Sequence, residues 1–254
     1  GVVTPLVVTD PATAEFTKYA ANAFLATKLS FVNSIAAICE EVGADIGDVV
    51  LGLGHDKRIG AEFLRPGPGW GGSCFPKDTR ALDAIARDAG YDFTLLRETI
   101  AVNDEQKHRV VDKVRRLLDG PLEGARIAVW GLTFKAGTDD LRESPSLAVI
   151  AELVAAGADV HAHDPTVDPG TDLSRATGIA AVGPDALTIH KDALDAADGA
   201  QALVVMTEWD DYRWIDPAEL VERMAAPGVV DTRNLLNRSS LARAGCRLLS
   251  TGRA

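Results

Sequence analysis

The sequence has 254 residues, of which 46% are hydrophobic and 25% charged, a composition typical of a globular protein and not of a disordered or fibrous one. It carries 26 Lys and Arg residues against 37 Asp and Glu residues, a net charge of −11 with no basic cluster, which argues against nucleic acid or an anionic membrane as the main partner. No apolar run approaches the roughly 18 residues of a membrane span, and three scattered cysteines make no disulfide framework, so we expect a cytoplasmic protein.

The first predicted element is one long helix. Asp10 is suited to cap a helix and Pro11 to begin it. We expect this helix to end near Gly43, and because it exceeds the usual length of a globular helix, we expect it to span two domains or to line a subunit interface. The residues that recur at helical spacing along it are Phe16, Ala20, Ala23, Phe24, Thr27, Phe31, Ile35 and Ile38.

Three more helices are predicted in the first half of the chain, over residues 46–54, 76–89 and 94–118. Between the first two lies a segment, residues 58–77, that is rich in glycine and proline. A compact domain rarely keeps so long a loop without using it. Ligand-binding residues are therefore expected in this segment.

After residue 120 the pattern changes to apolar runs that alternate with helical stretches. Strands are predicted over residues 126–132, 159–163, 202–206, 228–231 and 247–249, and helices over residues 145–156, 217–224 and 240–244. This alternation is typical of an α/β fold with a doubly wound parallel sheet. The sequence thus predicts an all-helical domain of residues 1–120, led by the long helix, and a Rossmann-like domain of residues 121–254.

Cys74 is the first candidate catalytic residue. It comes just before Pro76, which is expected to begin a helix, and the positive end of that helix together with Lys77 favours the thiolate over the thiol. The glycines upstream let a bulky ligand approach the backbone closely. The alternative is a structural cysteine in a tight turn, but the combined features favour a nucleophile. Cys39 and Cys246 show none of these features.

Lys18 and Asn22 form a second candidate pair. They are four residues apart, so they share one face of the long helix. Periodicity alone favours a solvated face for them over a functional one.

The second domain begins with the strand-then-glycine pattern of a nucleotide-binding fold, residues 128–131, but it lacks the G-x-G-x-x-G phosphate fingerprint. Its loop carries Lys135, Thr138 and Arg142 ahead of a predicted helix, so a bound phosphate would rely on cationic side chains and helix N-terminal amides. We do not expect a dinucleotide bound there in the usual way. The five histidines form no recognisable metal-ligand set, and no metal is assigned.

Three stretches together resemble the central and C-terminal parts of the UDP-glucose/GDP-mannose 6-dehydrogenase family. The first is AEFTKYAANAFLA at residues 14–26, on the long helix. The second runs from DKRIG at residues 56–60 to GGSCFPKD at residues 71–78, and the third combines GLTFK at residues 131–135 with DDLRESP at residues 139–145. The cysteine motif with its Lys-Asp end is specific to the family, and the matches extend over nearly the whole chain.

The resemblance implies an enzyme that oxidises the C6 alcohol of UDP-glucose to the acid in two steps, with two NAD⁺ in succession. Cys74 would attack the intermediate aldehyde to give a thiohemiacetal, and the second hydride loss would leave a thioester for water to hydrolyse. Lys18 and Asn22 match positions that stabilise the developing oxyanion. Asp78 matches a carboxylate that assists proton transfer and hydrolysis.

The resemblance also implies a homodimer through the long helix. Arg58 matches an arginine that reaches the sugar nucleotide from a neighbouring subunit, and Arg142 is expected to face the cofactor. The backbone at residues 63–65 and the glycine loop are expected to cradle the sugar and the diphosphate. The substrate-binding residues implied in this way are Arg58, Phe63, Leu64, Arg65, Gly71, Lys135 and Arg233.

The family pattern is incomplete in one respect. Its members begin with an N-terminal Rossmann domain that holds NAD, and the 254 residues include no counterpart. The chain also begins with Gly1 rather than methionine. We therefore expect this chain to be a fragment that binds the uridine nucleotide and turns over nothing alone.

Two alternatives remain at this point. GDP-mannose or an N-acetylated UDP-hexose could replace UDP-glucose, although Phe75 and the stretch 138–145 favour UDP-glucose. In a different class, the chain would be a non-catalytic nucleotide-sugar-binding and dimerisation module. The joint presence of Cys74, Lys18, Asn22 and Asp78 argues against that class, because a binding module needs no nucleophile.

Overall fold

The structure is a computed structural model that describes residues 5–118, 120–171, 173 and 187–254. Four helices come first: α1 (Pro11–Val42), α2 (Ile46–His55), α3 (Phe75–Asp88) and α4 (Thr94–Leu118). The side chain of Asp10 caps α1 by accepting a hydrogen bond from the backbone N of Thr13 at 3.0 Å. Gly43, with φ of 72°, ends it in the left-handed conformation that glycine adopts without strain.

The helices pack around α1, which contacts α2, α3 and α4. One apolar cluster joins Ala23 of α1 to Leu82 of α3 and Leu96 of α4. A second cluster joins Val32, Ala36 and Cys39 of α1 to the first residue of α2. The long helix is therefore the element on which the other three are assembled.

The part of the chain that the structure describes then forms six strands: β1 (Arg126–Trp130), β2 (Asp159–His163), β3 (Leu187–Ile189), β4 (Ala202–Val205), β5 (Gly228–Asp231) and β6 (Arg247–Ser250). All neighbouring strands pair in parallel, in the order β3-β2-β1-β4-β5-β6. Four helices connect them, α5 (Pro145–Ala155), α6 (Ala193–Ala197), α7 (Pro217–Arg223) and α8 (Arg238–Arg243). This is the doubly wound order, in which ligands bind beyond the carboxyl ends of the strands near the switch between β1 and β4.

The sheet is buried on both faces. On one face α4 packs against β4 and β5, and α5 packs against β2, around an apolar cluster that includes Val114, Ile150 and Val129. On the other face Trp130 stacks on Tyr212 with 5.0 Å between ring centroids. Since α4 packs on α1 at one part and on the sheet at another, it connects the helical and sheet regions.

The α/β class, the long leading helix and the parallel sheet confirm the predicted fold. Three short elements were not predicted: β3, α6 and a 3₁₀ turn at Asp210–Trp214. β3 has only three residues, none of them buried, so it lacks the apolar run by which the other strands were recognised. β1 ends two residues earlier than predicted, because Gly131 turns the chain at φ of 95°. The division into two domains at residue 120 stays a prediction, and the order of elements supports it.

One expectation about α1 was wrong. By length and mean hydropathy (1.3) this helix is apolar enough to cross a membrane, contrary to the expectation that no run approaches such a length. Within the fold, however, 39% of that apolar stretch is buried inside the protein. Its polar residues Ser30 and Asn33 are buried and hydrogen-bonded to a loop, as in a core helix of a globular protein.

Candidate functional site

The carboxylate of Asp78, in the first turn of α3, is the centre of the site. It has no exposed surface, and it accepts hydrogen bonds from Asn22 Nδ2 at 2.6 Å and Lys77 Nζ at 2.5 Å. Lys18 Nζ lies 3.5 Å from it. Burial raises the pKa of Asp78, but the bonds from Lys77 and Asn22 and the charge of Lys18 outweigh burial and hold that pKa below its usual value of 3.8.

Cys74 lies one helical turn before Asp78, whose backbone N donates to the Cys74 carbonyl at 2.8 Å. It is a free cysteine, exposed, at the N-cap of α3, and its side chain makes no capping bond. The pKa values of Lys77 and Arg142 are raised mainly by their carboxylate partners. A thiolate at Cys74 lies close enough to both cations to raise these pKa values further. The thiol therefore faces a positive environment from which it can reach a ligand.

The glycine-rich loop before Cys74 is fixed to the helices by buried amides. Asn33 of α1 accepts from the backbone N of Gly67 at 2.8 Å. Asn103 of α4 accepts from the N of Trp70 at 2.7 Å and donates to its carbonyl at 3.0 Å. The indole of Trp70 donates to Ser30 at 3.0 Å. These bonds hold the backbone of the loop in one conformation.

Two aromatic side chains of this segment pack against Phe75, the residue after Cys74. Phe63 lies 6.1 Å from the ring of Phe75, and Trp70 lies 6.2 Å from the same ring in an edge-on arrangement. Phe63 has φ of 59°, an uncommon value for a residue with a side chain. The side chain of Leu64 is buried in the core, so only its backbone can meet a ligand, whereas Arg65 is exposed.

Gly71 and Gly72 pack directly against the loop that follows β1. A Cβ added at Gly71 would lie 1.9 Å from the carbonyl oxygen of Glu143, and one at Gly72 would lie 2.8 Å from the ring of Phe134. The backbone N of Gly72 donates to the carbonyl of Arg142 at 3.0 Å. Gly71 therefore has a clear packing role between the helical and sheet regions, and its predicted contact with substrate remains a prediction.

Two ion pairs order the loop after β1. Arg142 donates through Nε and Nη2 to the two carboxylate oxygens of Asp140, at 2.9 and 2.8 Å, and this pairing raises the pKa of Arg142. Arg80 of α3 lies 3.2 Å from Glu143 across the junction. The guanidinium of Arg142 is thereby held in place beside the cysteine loop, with its side chain 69% exposed.

Arg233, after β5, approaches the same glycine loop. Its Nε donates to the carbonyl of Met206 at 2.8 Å and lies 3.0 Å from Glu208, while its Nη1 would be 2.7 Å from a Cβ on Gly67. Burial lowers the pKa of Arg233, and the charges of Glu208 and Asp231 oppose this effect. Arg233 is thus a nearly buried cation at the junction.

Lys135 stands on the loop after β1, exposed, with its ammonium 5.3 Å from the ring centroid of Phe134. Since Phe134 packs against Gly72, Lys135 is on the part of this loop that meets the cysteine loop. The structure therefore brings together the predicted residues Cys74, Lys18, Asn22, Asp78, Gly71, Lys135, Arg142 and Arg233 at the junction between the helices and the carboxyl ends of the strands.

The carboxylate of Asp164, just after β2, is hydrogen-bonded within the protein. It accepts from the backbone N of Leu132 at 2.7 Å, from that of Thr133 at 3.0 Å and from the indole of Trp209 at 3.1 Å. An acid at this place in a dinucleotide-binding domain would accept from a ribose hydroxyl. Here protein donors bind that carboxylate instead.

Arg65 is not among the predicted residues that the structure brings together, and neither is Arg58. Arg58 follows α2, and its guanidinium pairs with Asp56 at 2.5 Å while its side chain stays 89% exposed. Its predicted contact with a neighbouring subunit stays a prediction.

Four histidines, His108, His161, His163 and His190, pair with protein groups. His161 lies 2.7 Å from His190, and His163 lies 3.2 Å from the hydroxyl of Tyr212. No group of three or more His, Cys, Asp or Glu side chains within the described ranges is placed to hold a metal ion.

Several residues of the site were not predicted. Lys77 was recognised only as a charge near the cysteine, and its bond to Asp78 needed the helix geometry. Asp140 and Glu143 lie inside the recognised motif, so their position was a signal, but their partners were not readable. The role of Asn33 and Asn103 in holding the loop could not be predicted, because a sequence does not distinguish a buried asparagine from an exposed one.

Two family models match the chain. Residues 12–105 match the central domain of the UDP-glucose/GDP-mannose dehydrogenase family, and residues 128–238 match the UDP binding domain of the same family. Together the two matches include most of the chain.

Individual relatives agree with these models. A UDP-glucose 6-dehydrogenase of Rhizobium meliloti is 45% identical over 98% of this chain and 55% of its own length. One of Pseudomonas aeruginosa is 45% identical over 94% of this chain and 52% of its own length. A solved UDP-glucose dehydrogenase of Pyrobaculum islandicum superposes with a TM-score of 0.84 at 32% identity, over 100% of this chain and 54% of that one. The chain spans about half the length of the relatives it matches.

Proposed function

The chain belongs to the UDP-glucose/GDP-mannose dehydrogenase family, and from that premise we propose that the complete gene product oxidises UDP-glucose to UDP-glucuronate with two NAD⁺. One observation carries the proposal. The exposed thiol of Cys74 lies one helical turn from the buried carboxylate of Asp78, which Lys18 and Asn22 contact from α1. A binding module has no use for a nucleophile in such surroundings.

Cys74 is the proposed nucleophile of the second oxidation. Its Sγ attacks C6 of the aldehyde, a C–S bond forms, and the carbonyl electron pair moves to oxygen. Lys18 and Asn22 donate hydrogen bonds to that oxygen. NAD⁺, when bound, supplies the hydride acceptor for each oxidation. Loss of hydride from C6 leaves a thioester on Cys74, water adds to it, and the thiolate departs as the acid is formed.

Asp78 is the proposed base of the hydrolysis. Its lowered pKa keeps it ionised at neutral pH, so it can take a proton. Because its oxygens have no exposed surface, we assign the transfer to a route through Lys18, whose side chain is 60% exposed and reaches from Asp78 towards solvent. This assignment explains why a carboxylate and an ammonium stand in contact at the reacting centre.

The sugar nucleotide is proposed to bind in the crevice between the glycine loop and the sheet. Lys135 and Arg233 supply cations at the carboxyl ends of the strands, where doubly wound folds bind ligands. Arg58 of a second copy supplies another, and backbone groups of residues 63–71 contact the sugar. Because the chain has a net charge of −11, the anionic ligand is bound by these few cationic side chains and not by the overall charge of the protein.

The described residues fit NAD⁺ at one point only. Arg142, exposed and oriented by Asp140, is a suitable partner for a cofactor diphosphate. Asp164 is engaged within the protein and is not assigned to a ribose. The main cofactor surface is therefore proposed outside the described residues.

A homodimer through α1 is supported by an apolar stripe on its outer face. Its members are each at least half exposed, and their spacing of four, seven or eight residues keeps them on one side of the helix. They are Phe16, Phe24, Phe31, Ile38 and Val42. We propose that a second copy covers this stripe, and that the protein is cytoplasmic, as its three free cysteines favour.

UDP-glucose is favoured over GDP-mannose and N-acetylated UDP-hexoses by the names of relatives at 45% identity. The test is product formation by the complete gene product. Two NADH per UDP-glucose consumed, with UDP-glucuronate as product and none from Cys74→Ser, is the expected result. Turnover of another sugar nucleotide alone would overturn the substrate assignment, and full activity of Cys74→Ser would overturn the mechanism.

The 254-residue chain itself offers a binding test. UDP and UDP-glucose are expected to raise its melting temperature, whereas NAD⁺ is expected to leave it unchanged. Stabilisation by NAD⁺ and not by UDP would contradict the placing of the sugar nucleotide in this crevice.

A further inference from the structure

Lys28, in the middle of α1, has no part in the proposed chemistry but makes an unusual set of contacts. Its ammonium donates to the carbonyl oxygens of Glu62 at 2.6 Å, Ile59 at 3.0 Å and Gly60 at 3.4 Å. A lysine has three N–H donors, and here all three are directed at one short segment. The contacts link α1 to a loop that lies more than thirty residues away in sequence.

The segment is the turn that displays Arg58. The carboxylate of Asp56 accepts from the backbone N of Arg58 at 2.9 Å, and the Asp56 carbonyl accepts from the N of Ile59 and of Gly60, both at 2.9 Å. The N–H groups of residues 58, 59 and 60 are therefore hydrogen-bonded within the turn. The carbonyl oxygens of residues 59, 60 and 62 all point to one place outside it. Lys28 supplies a positive charge at that point, which charge-assisted hydrogen bonds require.

Lys28 also lies on the apolar stripe of α1. It follows Phe24 by four residues and precedes Phe31 by three, so the three side chains are neighbours on one helix face. The turn held by Lys28 consequently borders the surface proposed for the second copy. Arg58 projects from that border with 89% of its side chain exposed, and in its own chain it contacts Asp56.

We propose that Lys28 is a positioning residue for the site of the second copy: it fixes the turn of residues 56–62 so that Arg58 reaches the sugar nucleotide bound there. The inference rests on the proposed function, because it takes the role of Arg58 from it. When Lys28 is lost, the turn relaxes and substrate binds more weakly in the partner's site. Chemistry at Cys74 is unaffected once the substrate is bound.

The first test uses variants of the complete gene product. Lys28→Met is expected to raise KM for UDP-glucose about tenfold and to leave kcat within about twofold. Lys28→Arg keeps donors to the same carbonyls and is expected to stay close to the wild type. Lys57→Met removes an exposed charge from the same turn without touching the carbonyls and serves as the matched control.

Three outcomes of this test would overturn the proposal. They are an unchanged KM in Lys28→Met, an equal rise in Lys57→Met, and a loss of kcat without a change in KM, which marks a merely structural role. The double variant Lys28→Met with Arg58→Ala is expected to show no higher KM than Arg58→Ala alone. Hydrogen exchange should be faster at residues 56–62 in Lys28→Met, and unchanged exchange there would also contradict the proposal, whether or not the variant is active.

Mixed oligomers separate this inference from the proposed function. In a hybrid of Lys28→Met with Cys74→Ser, the Lys28→Met copy keeps Cys74 and the Cys74→Ser copy keeps the intact turn. The one working site therefore receives Arg58 from the intact turn. The hybrid is expected to show wild-type KM at its single working site, as is a hybrid of Arg58→Ala with Cys74→Ser. If only the second hybrid recovers, Lys28 has no positioning role while the role of Arg58 stands. If Arg58→Ala alone leaves KM unchanged, the proposed role of Arg58 fails.

Discussion

The side chain of Asn22 donates to the carboxylate of Asp78 at 2.6 Å, joining α1 to the first turn of α3 across 56 residues of sequence. The bond is part-buried, and the carboxylate it reaches has no exposed surface. It links the start of α3, which carries Cys74, directly to the long helix α1.

Stability should depend on pH through Asp78. Its pKa is lowered in the folded state, so its interactions contribute stability above its unfolded pKa of 3.8, and that contribution is lost as pH falls through the folded value. Asp78→Asn is expected to reduce the free energy of unfolding at pH 7 by about 1–3 kcal/mol and to flatten the fall below pH 3.8. Urea unfolding across pH measures both effects. Asp88→Asn, exposed on the same helix, is the control, and an equal effect there would contradict the prediction.

The three cysteines should differ sharply in alkylation. Cys74 is exposed, whereas Cys39 and Cys246 are buried, and burial raises the pKa of Cys246 to about 11. Iodoacetamide at pH 8 is expected to modify Cys74 alone in the native protein, and UDP-glucose to slow that reaction. Mass spectrometry of peptides reads the result. Equal labelling of all three cysteines would remove the structural basis for a nucleophile at Cys74.

A buried ion pair should be costly to break. Lys113 lies 2.5 Å from Glu40 and donates to the carbonyl of Ser250 at 3.0 Å, and Glu40 also accepts from the backbone N of Gly252 at 2.7 Å. Lys113→Met leaves Glu40 without its close partner and is expected to lower the free energy of unfolding by about 3–5 kcal/mol.

Lys107→Met provides the control for that measurement, because Lys107 is on the same helix and pairs at the surface with Asp104. It is expected to cost less than about 1 kcal/mol. Burial lowers the pKa of Lys113, and the charge of Glu40 opposes that effect. Chemical denaturation of both variants and of Lys113→Met with Glu40→Gln should show partial recovery in the double variant. No recovery would mean that the unpaired carboxylate is not the source of the loss.

Gly71 should tolerate no side chain. A Cβ there would stand 1.9 Å from the carbonyl of Glu143, so Gly71→Ala must move the cysteine loop or the loop after β1. We expect a loss of about 1–3 kcal/mol and a large fall in activity of the complete gene product. Gly52→Ala, within α2 and with nothing within 4 Å of an added Cβ, should be neutral or stabilising. Normal stability of Gly71→Ala would show that the close approach is not maintained.

The recognised motifs predicted which residues belong to the site better than they predicted what each residue contacts. Lys18 and Asn22 were placed on one face of α1 by spacing alone, and the structure puts both beside Asp78. Leu64 was predicted to meet the substrate through its backbone, and the structure adds that its side chain lies in the core. Spacing along a helix determines which side of the helix a residue faces. Whether its side chain is buried depends on what packs against that side.

The extent of α1, from its cap at Asp10 to Gly43, and the alternation that predicts a parallel sheet were determined by the sequence itself, because caps and periodicity act within one element. The position of Cys74 at a helix start was determined in the same way. Only the tertiary structure decided that Gly71 meets Glu143 and that Lys28 holds the turn of Arg58. These contacts join elements distant along the chain, and their energy exists only once those elements have packed.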